Sequence, residues 1–342
     1  MNDELHNHGQ TGRDLRRWVE ASWSSWTNND RPPGKTLTIR GRKPGRQSLL
    51  VFSYQGFRPA VIVKLATDPH GRCRLRQEFA ALVSLHGIHD SRMNTAAPQP
   101  YGARDLRGGY AIAMEALPGG RLEAPQFKRF GPVQRRHLQH YVAIVDELSG
   151  RLASASAQPD RDGPQKAARV VNRFATLCTN ETVSRRAHAF AETLGSSDLL
   201  WLSSWQHGDP SIGNILTHRG RAAFVDWEDA RPDHPSWLDA AMVPLAIVHM
   251  GALQQALPVD SEAVTATLGL RSRPGRIVHA ELAARWTHPL PLGWAVTLAC
   301  IYLAVRPTWD GHTPVKHGME VASALLADPD CRKQVPWATA AW

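Results

Sequence analysis

The chain has 342 residues, 42% of them hydrophobic and 21% charged, with a formal net charge of +9. It is too apolar for a disordered polypeptide and long enough for two domains or one two-lobed domain. The positive charge suits anionic ligands such as nucleotides or nucleic acid, but Arg is scattered in singles and pairs, as in RGRKPGR and GRCRLR, with no long basic block and no aromatic-basic motif of a nucleic-acid binder.

Residues 1–12 are expected to be disordered and carry no apolar stretch of a secretory signal. DLRRWVEASWSSW then places Leu15, Trp18, Val19, Ala21 and Trp26 at spacings that predict a short helix packed outside the main body. TLTIRG begins a strand region, and SLLVFSYQGFRPAVIVKLA reads as two strands joined at Gly56. GRCRLRQEFAALVSLHG puts Leu75, Phe79 and Leu82 on one helical face and stops at Gly87. GGYAIAMEALPGG is a strand followed by a turn, so the region 37–117 is mostly strand with one helix.

The remainder of the chain reads as mainly helical. PVQRRHLQHYVAIVDELSGRLA carries Leu138, Tyr141, Val142, Val145, Leu148 and Leu152 at helical spacing. SASAQPDRDGPQK is expected to be a polar linker, and AARVVNRFATL and VSRRAHAFAETL to be helices. RAAFVD reads as a short buried strand ending in an acid. Further helices are expected over 237–257, 261–269 and 295–305, and the apolar run Leu290–Val305 is read as a core helix rather than a membrane span. The four cysteines, Cys73, Cys178, Cys300 and Cys331, show neither a CxxC pair nor zinc spacing. Free thiols in a reducing, cytoplasmic setting are expected.

Three places concentrate chemistry. In AVIVKLA, alternation sets Ile62, Lys64 and Ala66 on one face and Val61, Val63 and Leu65 on the other. Glu78 borders the apolar face of the next helix, and an unpaired carboxylate there is costly, so Lys64 is its expected partner. Gly41 and Gly45 lie between the first two strands, where backbone N–H groups can approach phosphate oxygens, although no GK[ST] follows. WQHGDPSIGNIL and FVDWE bring Asp209, Asn214 and Asp226 within 17 positions of one another, counting from Asp209 to Asp226. Carboxylate and amide oxygens of this kind suit Mg²⁺, and an Asp kept off the metal can take a proton from a hydroxyl.

HGDPSIGNIL followed by FVDWEDA resembles the catalytic and metal-binding motifs of the aminoglycoside phosphotransferase and choline kinase-like family, and VIVKL, QEFAAL and AMEALPGG stand upstream in the matching order. The resemblance implies an α+β, two-lobed protein-kinase-like fold: a small N-terminal antiparallel β-sheet lobe with one helix, and a larger, mainly helical C-terminal lobe. The implied division is an N-terminal extension over 1–36, a nucleotide-binding lobe over 37–117, and a catalytic and substrate-binding lobe over 118–342. Asp209 would be the catalytic base, and Asn214 and Asp226 would hold Mg²⁺. Lys64 would contact the α- and β-phosphates, with Glu78 holding it in place. The backbone of Glu115 to Leu117 would meet the base of ATP or GTP, with Ile62 and Leu216 on either side of that base. His207 would brace the loop rather than move protons. Asp239 would brace it too, and Ser211, where many relatives have His-Pro, would reach the γ-phosphate.

The implied activity is transfer of a γ-phosphate to a hydroxyl of a small metabolite, sugar or antibiotic. The implied partners are a nucleotide and a small hydroxylated substrate, without nucleic acid or membrane. The alternative is a catalytically inactive kinase-like binding or regulatory protein.

Overall fold

The computed structural model describes residues 2–40, 45–54, 56–88, 90, 95–124, 130–255, 272–306 and 316–327. The chain divides into two compact units: Met1–Gly120 with Leu216–Ala230, and Arg121–Ile215 with Arg231–Trp342. Gly41, the expected 261–269 helix and Cys331 lie outside the described residues.

The first unit is built on an antiparallel sheet of β1 (Thr36–Arg40), β2 (Arg46–Phe52), β3 (Pro59–Ala66), β4 (Pro100–Leu106) and β5 (Gly109–Glu115), in the order β1-β2-β3-β5-β4. β3 is therefore interior, flanked by β2 and β5 through the registers Ser48↔Lys64 and Lys64↔Ile112. A lysine here cannot be an edge-strand residue. The helix α2 (Pro69–Gly87) starts cleanly: Pro69 occupies its first turn, and Asp68 caps it by accepting the Gly71 N–H at 2.7 Å.

The N-terminal expectation needs correction. Residues 2–12 are helical, within a helix α1 of 26 residues (Asn2–Thr27), and α1 is not outside the main body. Leu15, Trp18, Val19 and Trp23 join Val51, Val61, Val63, Leu65, Ala111 and Ala113 in one buried cluster. Thr11 Oγ1 adds a 2.7 Å hydrogen bond to the Arg107 carbonyl. The cause is the sheet itself. Its Val61/Val63/Leu65 face is apolar, and an uncovered apolar face of that size would stay hydrated. β4 carries no strand signature of its own: PYGARDL lacks apolar alternation, and its place comes from pairing with β5.

In the second unit α3 (Pro132–Ser156) buries Leu138, Tyr141, Val142, Val145, Leu148 and Leu152 completely. Among the described residues the helical part continues with α4 (Gly163–Leu177), α5 (Glu181–Gly195), α6 (Leu238–Gln255), α7 (Arg273–Arg285), α8 (Leu292–Val305) and α9 (Lys316–Ala327). After the two-residue strand β6 (Gly120–Arg121), the polar linker expected after α3 contains a short strand, β7 (Gln158–Asp160), which pairs with β8 (Trp201–Gln206); β11 (Arg231–Pro235) lies on the other side of β8. The apolar run before Arg306 is α8, buried along most of its length, and among the described residues no helix is long and apolar enough to cross a membrane.

Trp23 is 2% exposed at the centre of the α1 contact. Trp23→Ala is expected to cost about 3–5 kcal/mol in urea unfolding, the usual range for a buried tryptophan. A loss below about 1 kcal/mol, typical of surface substitutions, would place α1 outside the core.

Candidate functional site

Within the first unit, strand alternation separates two jobs. Val61, Val63 and Leu65 face the α1 cluster, while Ile62 and Lys64, both half-buried, take the opposite face. α2 delivers Glu78 to Lys64, and Glu78, beside Leu75 and Leu82 on the helix's apolar face, is fully buried. Lys64 Nζ donates to Glu78 Oε1 at 2.7 Å and Oε2 at 2.9 Å, and to Asp226 Oδ1 at 2.8 Å. Burial opposes the ammonium charge, but Asp226 and then Glu78 outweigh it and hold the lysine above its ordinary pKa. Burial pushes the Glu78 carboxyl up, against the pull of Lys64. These two tendencies conflict. The geometry decides for an ionic pair, because both Glu78 oxygens meet Nζ and Oε1 also accepts the Trp227 N–H at 3.3 Å, which leaves no acceptor for a carboxyl proton.

Asp226 comes after β10 (Arg221–Phe224) and precedes the 3₁₀ turn Trp227–Asp229. Its backbone is left-handed, with φ 69° and ψ 62°. For most residues with a Cβ this costs roughly 1–2 kcal/mol; Asp tolerates it better than most, and the turn that follows is tied down by several contacts. Trp227 is fully buried, and its indole N–H donates to the Phe224 carbonyl at 3.0 Å. The Phe224 N–H donates to Ala96 O at 2.9 Å. Arg46 at the start of β2 reaches Glu228 at 2.7 Å, and Arg74 on α2 reaches Glu228 at 2.9 Å and Asp229 at 2.6 Å. Burial would raise the Glu228 pKa, but the hydrogen bond and charge of Arg74, with Arg46 behind, hold it at about 2.

Arg46, Arg74, Glu228 and Asp229 were absent from the residues singled out in the sequence. The i, i+4 spacing of Arg74 and Glu78, which puts both on one face of α2, was the available signal.

The remaining expected nucleotide residues of this unit have mixed surroundings. Ile62 pairs with Met114 and Val61 with Glu115 across β3 and β5. The Glu115 N–H is committed to Gln99 O at 2.8 Å and the Ala116 N–H to Ala60 O at 3.0 Å. Of the stretch 115–117, this leaves the Leu117 N–H as the backbone donor not used in that pairing. Leu216, in β9 (Ile215–His218), is half-buried. Gly45, at φ +74°, turns the chain into β2, and its carbonyl accepts the Thr67 N–H at 2.9 Å. A Cβ at Gly45 would meet Thr67 Oγ1 at 3.0 Å in a conformation that L side chains rarely adopt.

In the second unit the loop after β8 is braced from beneath. Asp239, fully buried at the start of α6, accepts the His207 N–H at 2.6 Å and the Gly208 N–H at 2.8 Å. Its own N–H donates to Gln206 Oε1 at 3.0 Å. Gly208 takes φ +79°, making the sharp bend that these two bonds require. His207 is fully buried, and its Nδ1 accepts the Asp209 N–H at 3.3 Å. Tyr141 donates from its hydroxyl to the Pro210 carbonyl at 2.7 Å; burial, with Asp209 and Asp239 nearby, keeps it a neutral phenol.

Asn214 Nδ2 donates to the Asp209 carbonyl at 3.1 Å and to its Oδ2 at 3.0 Å. The amide therefore orients the Asp209 carboxylate and directs its own oxygen elsewhere. Ser211, half-buried, precedes the 3₁₀ turn Ile212–Asn214 and accepts the Asn214 N–H on its carbonyl at 2.8 Å.

Lys64, Glu78 and Asp226 thus meet in one unit, and Asp209 meets Asn214 in the other. Among the described residues no group of three or more His, Cys, Asp or Glu side chains could hold a metal by itself. The oxygens of an Asp carboxylate, as at 226, and of an Asn amide, as at 214, are each hard donors of the kind that suit Mg²⁺, which keeps several waters and takes further oxygens from phosphates.

Removing Lys64 would leave the Glu78 carboxylate buried beside little more than an N–H. Lys64→Met is expected to lower stability by about 3–5 kcal/mol, the cost of breaking a buried pair, and adding Glu78→Leu should recover at least half of it. Urea unfolding of the four proteins checks this, and additive losses would contradict the pairing.

Among curated proteins, none matches the chain. Among solved structures, the aminoglycoside phosphotransferase APH(3'')-Id of Streptomyces rimosus is similar at 12% identity and a TM-score of 0.46, covering 83% of this chain and 96% of that one. An aminoglycoside-3'-phosphotransferase of type VIII is similar at 16% identity and a TM-score of 0.44, covering 83% and 98%. An aminoglycoside phosphotransferase of Alicyclobacillus acidocaldarius is similar at 13% identity and a TM-score of 0.42, covering 87% and 90%. The model of the phosphotransferase enzyme family matches residues 48–250, which include β3, α2, the 207–214 loop and the 226–229 turn. With more than half of its length matched, this α+β, protein-kinase-like chain belongs to the phosphotransferase enzyme family.

Proposed function

We propose that the protein transfers the γ-phosphate of ATP or GTP to a hydroxyl of a small molecule: a metabolite, a sugar or an antibiotic. The observation that carries this reading is Lys64, an ammonium held on an interior strand by the fully buried Glu78 and by Asp226. A lysine fixed in this way is a preset counter-charge for phosphate oxygens. Two of its three donors stay on Glu78, and the third, now on Asp226, can turn to the α- and β-phosphates.

Asp209 then takes the proton of the acceptor hydroxyl, its carboxylate oriented by Asn214 and its loop fixed by Asp239 and Tyr141. Asn214 and Asp226 are the ligands for Mg²⁺, which when bound neutralises phosphate charge. Glu115 and Leu117 offer a carbonyl and an N–H to the edge of the base, Ile62 and Leu216 offer apolar faces, and Ser211 offers a hydroxyl to the γ-phosphate. A nucleotide donor and free thiols at Cys73, Cys178 and Cys300 suit the cytoplasm. The alternative, an inactive kinase-like binder, requires none of the Asp209 geometry, yet that geometry is in place.

Asp209→Asn is expected to abolish transfer of radiolabelled γ-phosphate to a panel of hydroxylated acceptors while nucleotide affinity stays near that of the parent. Asp226→Ala is expected to lower transfer and Mg²⁺-dependent nucleotide binding together. A parent protein that binds nucleotide but transfers nothing across the panel would favour the inactive binder. Full turnover by the Asp209 variant would remove it as the base.

A further inference from the structure

The left-handed backbone of Asp226 leads into a turn whose next three residues are all contacted from α2. Arg74 is 14% exposed at its side chain. One arm of its guanidinium, Nη2, meets Glu228 Oε1 at 2.9 Å, and the other, Nη1, meets Asp229 Oδ1 at 2.6 Å. Two consecutive carboxylates are thus gripped by one planar group, which a flexible point charge cannot reproduce. Glu228 is 10% exposed and Asp229 6% at their side chains, so both charges are largely removed from water; Arg74 meets both, and Arg46 also meets Glu228 at 2.7 Å. One helical turn further along the same face, Glu78 holds Lys64 and accepts the Trp227 N–H. α2 therefore touches residues 227, 228 and 229 in succession while its Glu78 holds the lysine that meets Asp226.

We propose that Arg74 is a positioning residue for Asp226: by clamping Glu228 and Asp229 to α2 it keeps the preceding residue in its left-handed conformation, with the carboxylate presented beside Lys64. The proposal rests on the proposed function, in which Asp226 is a ligand for the nucleotide's metal. Arg74 itself touches neither nucleotide nor acceptor. Its effect runs through the backbone of the turn. A purely structural Arg74 would stabilise the unit without setting the behaviour of Asp226, and the two roles separate experimentally.

The test uses the full chain with Arg74→Lys, which keeps the charge and loses the fork, and Arg74→Gln, which loses both. Arg76→Lys is the control: it lies on the same helix, 52% exposed at its side chain, and pairs with an exposed Asp105. Binding of ATP and GTP carrying a methylanthraniloyl fluorophore is titrated with Mg²⁺, and hydrogen exchange is followed on the peptide covering 224–230 without nucleotide.

In both Arg74 variants the Mg²⁺ concentration for half-maximal nucleotide binding is expected to rise about tenfold or more, the scale seen when a residue supporting a metal ligand is lost. Binding without Mg²⁺ should be unchanged, exchange over 224–230 should quicken, and Arg76→Lys should match the parent. A lower melting temperature with an unmoved Mg²⁺ midpoint and unchanged exchange would overturn the proposal and leave the functional reading standing. A parent with no Mg²⁺-dependent nucleotide binding would overturn the functional reading and this inference with it, even where exchange quickens.

Discussion

Glu78 is a carboxylate with no exposed surface, and the first unit is organised around that fact. A buried carboxylate requires a cation and further hydrogen-bond donors. Lys64 supplies the first from an interior strand, and the Trp227 N–H supplies one of the second from the turn after β10. Satisfying one side chain of α2 thus draws together a strand, a helix and a turn far apart in sequence. The reciprocal demand comes from the turn, whose acids at 228 and 229 are themselves poorly exposed and are answered by Arg46 and Arg74. The resulting network is built mainly from ion pairs, with the Trp227 N–H as a neutral donor. Its worth lies more in fixing positions than in net stability, since apolar replacements of buried pairs are often no less stable.

The second unit solves a different problem with the same logic. A loop that must present Asp209 has backbone donors to satisfy, and Asp239 takes two of them from below. His207 spends a ring nitrogen on the Asp209 N–H, and Tyr141 secures the Pro210 carbonyl from α3. The carboxylate itself is oriented by Asn214, so the residue proposed for the metal also orients the proposed base. Coupling of this kind makes the effects of substitutions at 209 and 214 non-additive.

Much of this was legible in the sequence where the signal is local. Alternation in AVIVKLA separates the face of Lys64 from the face of Val61, Val63 and Leu65, and the burial pattern of β3 agrees with it. The acid on α2 near an apolar stripe pointed to a buried pair. HGDPSIGN has short loop spacing that can bring Asp209 and Asn214 together without tertiary help. The illegible parts depend on distant pairing. Arg46 and Glu228 are 182 residues apart, and neither has a local pattern that names the other. β4 and β7 have little strand propensity of their own and exist because β5 and β8 offer an edge. The length of α1 was missed because its early residues are polar. The helix is anchored by the tryptophan face further on, and a helix once nucleated propagates cheaply.

The central claim is that the Lys64 ammonium, held by Glu78, is the group that meets the nucleotide's phosphates. Nitrogen-15 NMR of the lysine ammonium groups tests it most directly, with the Lys64 signal assigned from its absence in Lys64→Arg. The account predicts a Lys64 ammonium that is protected from rapid exchange, stays protonated above the pH at which exposed lysines titrate, and shifts when nucleotide and Mg²⁺ are added together. A signal that exchanges as quickly as the exposed lysines, or that does not move on adding nucleotide and Mg²⁺, would contradict it.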